Sequence, residues 1–145
     1  MENKFLNKNF ALAIFIVAYI LNFLWEYLHY PLYNCKWPIG SCAIVTSFRD
    51  ALIILGIYFL GALFFKNNKW ILNLTRLKLG LLLVTSFFIA YIIELQGIYF
   101  GKWSYSDFMP IIPVLKVGLS PILQMILLPF ITFLIIKCLV RKFKW

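Results

Sequence analysis

Hydrophobic residues in this chain fall in four long, nearly unbroken runs and do not alternate with polar residues. The runs cover residues of about 10–30, 43–65, 79–100 and 121–138. As α-helices, runs of about 17 to 23 residues cross roughly 30 Å of hydrocarbon. The pattern therefore predicts an all-α integral membrane four-helix bundle, with residues 1–145 forming a single transmembrane domain.

Prolines and polar clusters mark the ends of these runs. The first run is too long for a signal peptide, and Pro31 marks its end. The segment 66–69, Lys-Asn-Asn-Lys, ends the second run. Ser120 and Pro121 are typical of the N-cap and first position of a helix, which predicts the start of the fourth span. Pro129 lies inside that span, where we expect it to kink the helix.

The basic residues predict an orientation. The net charge is +9, yet only 13% of the residues are charged, and the basic ones cluster between the apolar runs. The two ends and the middle loop carry ten, against three in the other two loops. By the positive-inside rule we expect a multi-pass protein of the cell membrane with both termini cytoplasmic, N-in and C-in. This placement also argues against nucleic acid as a partner.

The cysteines follow the same topology. Cys35 and Cys42 fall in the first outer loop, where an oxidising compartment would allow a disulfide between them. Two unpaired thiols are the alternative. Cys138 lies at the cytoplasmic end and should stay reduced.

Ionisable residues inside the spans are few, and their depths coincide. A charged group at membrane depth costs about 2.5–3.5 kcal/mol on insertion scales, so it needs a partner or a function. Glu26, Asp50 and Glu94 each lie 16 residues from the cytoplasmic end of their span, which corresponds to roughly 24 Å of helix rise. Gln124 on the fourth span comes to a similar depth. The sequence therefore predicts one polar layer just beneath the outer surface.

Helical spacing indicates which residues share a face. Asn22, Glu26 and His29 are spaced four and three apart, so they lie on one face of the first span. Arg49 and Asp50 are adjacent and should point about 100° apart. Gly97 and Gly101 are four apart, a spacing that permits close helix contact.

The segment 101–119 combines prolines with apolar and aromatic residues. We interpret it as a lid over the polar layer, the alternative being an interfacial loop with no covering role. It contributes Trp103 and Tyr105 to the predicted binding residues. The full binding set is Asn22, Arg49, Gln96, Trp103, Tyr105 and Gln124.

The polar layer suggests an intramembrane enzyme acting on a lipid or isoprenoid. Glu26 and Glu94 would form an acid–base pair, since carboxyls in different surroundings can split into acid and base. His29, the only histidine, could shuttle a proton, and Asp50 completes the predicted catalytic set. The alternative is a structural or accessory protein in which the network only fixes helix packing. Membrane lipids and a second copy of the chain are the partners considered, and no cofactor is indicated.

Other activities have weaker support. Glu26-x-x-His29 has a spacing used by helical metal sites, but di-metal sites of that kind need two such pairs, so no metal is expected. A transport path would require an oligomer, because the cytoplasmic half of each span is almost wholly apolar. We also expect no serine nucleophile with a histidine base, because Ser86 has no nearby base and Ser120 is explained as a helix cap.

Several short motifs resemble those of small, uncharacterised bacterial four-span membrane proteins. Here they read Trp25-Glu26, Pro31-Leu32-Tyr33, Trp103-Ser104-Tyr105, Met109-Pro110 and Gly118-Leu119-Ser120-Pro121-Ile122-Leu123-Gln124, with an acidic residue early in span two. The resemblance covers most of the chain and implies a four-span fold but no activity. His29 stands where those proteins have glutamine. The stretch from Glu94 to Tyr105 is also loosely similar to membrane carotenoid-modifying proteins. This second similarity assigns no role to any residue of the chain.

Overall fold

The chain folds into four long helices. A computed structural model describes residues 8–34 and 38–143. Within these ranges the helices are α1 (Lys8–His29), α2 (Ile39–Phe64), α3 (Arg76–Tyr99) and α4 (Leu119–Phe143). All four are long and apolar enough to cross a membrane, which confirms the prediction of an all-α four-helix bundle.

The helix ends follow local signals that the sequence shows only in part. Thr75 caps α3, its hydroxyl accepting a bond from the backbone N–H of Lys78 at 3.5 Å. α2 begins directly after Pro38. α4 begins at Leu119, so Ser120 lies inside the first turn and is not the N-cap as predicted. It continues through Pro129, whose side chain is fully buried.

The helices do not contact one another equally. α1 packs against α2 and α4, and α3 packs against α4, whereas α2 and α3 barely touch. The core between the helices contains Ile14, Ile54, Leu82 and Phe133, all nearly inaccessible. Apolar side chains such as Leu28, at 79% exposure, cover the outward surfaces, as expected for helices that face lipid.

One end of the bundle is closed by Trp70. This residue lies in a short 3₁₀ turn, Trp70–Leu72, between α2 and α3. Its indole N–H donates to the Tyr58 carbonyl at 3.0 Å, and its ring packs edge-on against Phe133 of α4. Gly61 leaves room for the ring, because a Cβ there would lie 2.4 Å from it. A single side chain thus joins α2 to α4.

The opposite end, called the site end here, is where α1 and α3 end and α2 and α4 begin. Its connection from α3 to α4 includes a two-stranded hairpin of β1 (Ile111–Ile112) and β2 (Val117–Gly118). The segment 104–106 runs antiparallel to residues 32–34, with an isolated bridge between Tyr33 and Tyr105. Backbone bonds thereby tie this connection to the end of α1.

Candidate functional site

A cavity of about 570 Å³ lies at the site end. All four helices and the connection after α3 contribute to its wall. The charged and polar lining residues include Glu26, His29, Tyr33, Asn34, Thr46, Arg49, Asp50, Glu94, Lys102, Ser104, Tyr105 and Gln124. The four residues that helix rise placed at one depth, three carboxylic acids and Gln124, therefore line one space.

Gln124 joins three helices. Its side-chain Nε2 lies 3.0 Å from Asn22 Oδ1, 2.9 Å from Glu26 Oε1 and 3.2 Å from Asp50 Oδ2. An amide nitrogen carries two hydrogens, so three acceptors compete for two donors. The Asn22 amide in turn donates to the Ala18 carbonyl at 2.8 Å, which fixes its orientation.

Asp50 is also paired with its neighbour in sequence. The Nε and Nη2 atoms of Arg49 both lie 3.0 Å from Asp50 Oδ1. The Asp50 side chain is buried, whereas that of Arg49 is 46% exposed. Arg49 therefore folds back along α2 to bond with Asp50 Oδ1, although the two residues start from different faces of the helix, as predicted.

Glu94 has partners of another kind. The Tyr105 hydroxyl donates to Glu94 Oε2 at 2.6 Å and accepts a bond from the Gly118 backbone N–H at 2.8 Å. The Tyr33 hydroxyl lies 3.4 Å from both carboxyl oxygens. Burial, reinforced by Glu94, raises the pKa of Tyr105 and that of Tyr33 above the ordinary tyrosine range. Both hydroxyls therefore keep their protons and remain donors to Glu94.

Trp103 packs directly on α3 beside this carboxyl. A Cβ on Gly97 would lie 1.9 Å from the Trp103 ring, so only glycine allows this contact. The predicted close approach at Gly97 is thus made by an indole ring and not by a second helix, while Gly101 forms a turn with a φ of +62°. The Arg49 guanidinium lies 5.7 Å from the centre of the Trp103 ring, a cation–π distance. This contact bridges α2 and the segment that follows α3.

His29 makes one contact that helical spacing indicates, with Glu26, and one that it does not, with Ser120. Its Nε2 lies 3.1 Å from Glu26 Oε2, and its Nδ1 lies 2.9 Å from the Ser120 hydroxyl oxygen. Ser120, which the sequence explained as a helix cap, thus lies within hydrogen-bond distance of the only histidine. Ser120 is 91 positions from His29, and helical spacing within one span cannot show a contact between α1 and α4.

Gln96 and the two cysteines of the predicted outer loop differ in their relation to the cavity. Gln96 is exposed and does not line the cavity, because it lies two residues from Glu94 and points from another side of α3. Cys42 lines the cavity, but Cys35 falls outside the described residues, so their disulfide stays a prediction. No group of three or more His, Cys, Asp or Glu in the described part of the chain is placed to hold a metal ion.

Comparison of the chain with models of protein families, with curated proteins and with solved structures gave no match.

Proposed function

We propose that this multi-pass membrane protein is an enzyme that acts on a membrane lipid or isoprenoid by acid–base chemistry. The cavity at the site end carries the proposal, because it brings three carboxyl groups with different partners into one space within the bundle. Buried charges in a membrane protein are costly and are typical of functional sites.

The partners of these carboxyls favour different charge states. Glu94 accepts from two tyrosine hydroxyls, and hydrogen bonds to a carboxylate favour its ionised form. Glu26 and Asp50 share one amide nitrogen, whose two hydrogens cannot satisfy every oxygen around it. A proton carried by Asp50 would relieve this shortage and leave Glu26 ionised. Asp50, next to Glu26, is thus suited to act as the acid and Glu94 as the base.

A lipid could enter this cavity from the side. Residues of α2 such as Thr46 and of α3 such as Ile93 both line it, and these two helices barely touch. The Arg49–Trp103 contact connects α2 to the segment that follows α3. A long-chain substrate could therefore place its reactive group among the carboxyls while its apolar tail stays in the bilayer.

The orientation of the protein is part of the proposal. Because basic residues are concentrated at the two ends of the chain and in the loop between α2 and α3, both termini should be cytoplasmic. The cavity would then lie near the outer leaflet of the cell membrane. The substrate is accordingly expected to be a component of that leaflet.

A comparison of membrane lipids and isoprenoids between cells with and without the protein tests the function. The wild type should change at least one species, and Glu94→Gln should abolish that change. Gln96→Ala is the matched control, since Gln96 is exposed on the same helix and outside the cavity. A purely structural role would instead lower the thermal stability of Glu94→Gln while the lipids are the same with and without the wild type.

A further inference from the structure

We propose that Ser120 is a nucleophile activated by His29 and that the substrate is a lipid ester. This inference rests on the proposed function and specifies its substrate class. It begins from three side chains in successive contact: the Ser120 hydroxyl with the His29 imidazole at 2.9 Å, and that imidazole with the Glu26 carboxyl at 3.1 Å. A nucleophile hydrogen-bonded to a base, with an acid orienting that base, is the arrangement of serine hydrolases and acyltransferases.

Glu26 determines which imidazole nitrogen is the base. An ionised carboxylate can only accept, so its contact with His29 Nε2 places the ring proton on that nitrogen. His29 Nδ1 is then unprotonated and accepts the proton of the Ser120 hydroxyl. Glu26 is therefore a positioning residue. The same carboxyl is held by Gln124 through Oε1, which leaves Oε2 for His29.

Ser120 lies beside the cavity, next to residues that line it. Its side chain is partly exposed, and both His29 and the adjacent Pro121 line the cavity. Ser120 lies in the first turn of α4, where the helix dipole favours developing negative charge. An ester carbonyl at this end of the cavity would thus meet a nucleophile, a base and the positive end of a helix.

The reaction would proceed in two balanced steps. The Ser120 oxygen forms a bond to the carbonyl carbon as its proton passes to His29 Nδ1. The resulting oxyanion then re-forms the carbonyl, the bond to the lipid alcohol breaks, and that alcohol leaves with the proton from His29. Water, or the hydroxyl of a second lipid, next attacks the acyl–serine ester with His29 again as base, which restores free Ser120.

A fluorophosphonate probe tests the nucleophile without knowledge of the natural ester. Purified full-length protein in nanodiscs is treated with the probe, and the modified residue is identified by peptide mass spectrometry. One adduct on Ser120 is expected, formed with loss of fluoride. Ser120→Ala should carry none, whereas Ser41→Ala, which alters an exposed serine at the same end, should label like the wild type.

Variants of His29 and Glu26 test their roles as the base and the positioning residue. His29→Gln should slow labelling by about 10²–10⁴-fold, as loss of a general base does. Glu26→Gln should also slow it, because an amide N–H facing Nε2 would move the ring proton to Nδ1, and Glu26→Asp should restore part of the rate. A structural role for Glu26 would lower thermal stability in both variants without this difference in rate.

The inference is overturned if folded wild type forms no adduct, if the adduct lies on another residue, or if His29→Gln labels at the wild-type rate. The lipid comparison separates this inference from the proposed function. A lipid change without an adduct would retain acid–base chemistry but reject Ser120. An adduct on Ser120 with unchanged lipids would support the nucleophile but reject a lipid substrate.

Discussion

The hydroxyl of Tyr105 lies 2.6 Å from Glu94 Oε2 and simultaneously accepts the backbone N–H of Gly118. This residue thus links the carboxyl on α3 to the strand that leads directly into α4. Removing the hydroxyl affects both partners at once.

We predict that Tyr105→Phe destabilises the protein by about 1–3 kcal/mol, because it leaves a buried N–H and a buried carboxyl without this partner. Chemical denaturation in mixed micelles would measure the change. Tyr99→Phe is the control, since Tyr99 lies at the same end and is 84% exposed. Equal stability of the two variants would contradict the role given to the Tyr105 hydroxyl.

The contact between Tyr105 and Glu94 also predicts how the stability of the protein depends on alkaline pH. The pKa of Tyr105 is raised in the folded protein by burial and by Glu94, so its stabilising effect is full below the unfolded pKa of about 10. This stabilising effect is lost as pH rises through the higher pKa that Tyr105 has in the folded protein. The stability gap between wild type and Tyr105→Phe should therefore shrink above about pH 10. A gap that widens with pH would mean that the hydroxyl ionises more easily after folding.

Gly97→Ala should displace Trp103, because the new Cβ would overlap the indole ring. We expect a loss of about 1–3 kcal/mol and a shift in tryptophan fluorescence, as for other overpacked contacts. Gly80→Ala on the same helix meets nothing within 4 Å and should instead stabilise the protein by about 0.5–1 kcal/mol. Similar effects at both positions would show that Trp103 does not pack closely on α3.

Gln124→Met should destabilise the bundle more than Gln96→Met. Loss of the buried amide removes the donor shared by Asn22, Glu26 and Asp50, at a cost of about 1–3 kcal/mol for each acceptor left unsatisfied. Gln96 is exposed, so its change should stay within about 0.5 kcal/mol. Thermal unfolding of the two variants in the same detergent gives the comparison.

The proposed orientation predicts opposite accessibility for two cysteines. In intact cells treated with a reductant, a membrane-impermeant maleimide should label a variant whose only cysteine is Cys42. A variant retaining only Cys138, which is exposed at the other end of α4, should label only after lysis. Lysed cells of both variants serve as the control for reactivity. The reverse pattern would overturn the orientation.

The positions of the spans and the depth of the polar residues could be predicted from the sequence, because both follow from regular helix geometry. Run length located the four spans, and helix rise placed Glu26, Asp50, Glu94 and Gln124 together. These inferences need only the 1.5 Å rise per residue and the thickness of a bilayer. Helical spacing did not exclude Gln96, because a polar residue near a carboxyl gives no signal of which side it faces.

The missed contacts depend on how separate elements dock. The pair His29–Ser120 joins α1 to α4, and Tyr33–Tyr105 joins the end of α1 to an irregular segment. The two residues of each pair do not lie on one helix, so helical spacing cannot relate them. Ser120 had also been interpreted as a helix N-cap, which left its hydroxyl without a predicted partner. Trp103 against Gly97 is similar, since glycine spacing favours close contact without specifying which group approaches.

The division of the site between two helical hairpins has a consequence for biogenesis. During synthesis, α1 and α2 emerge with Glu26, His29 and Asp50 before α4 supplies Gln124 and Ser120. Until then, these ionisable groups enter the bilayer without their later partners. The nascent first hairpin is therefore the stage at which these polar groups are least satisfied in the bilayer, and arrival of the second hairpin would end that exposure.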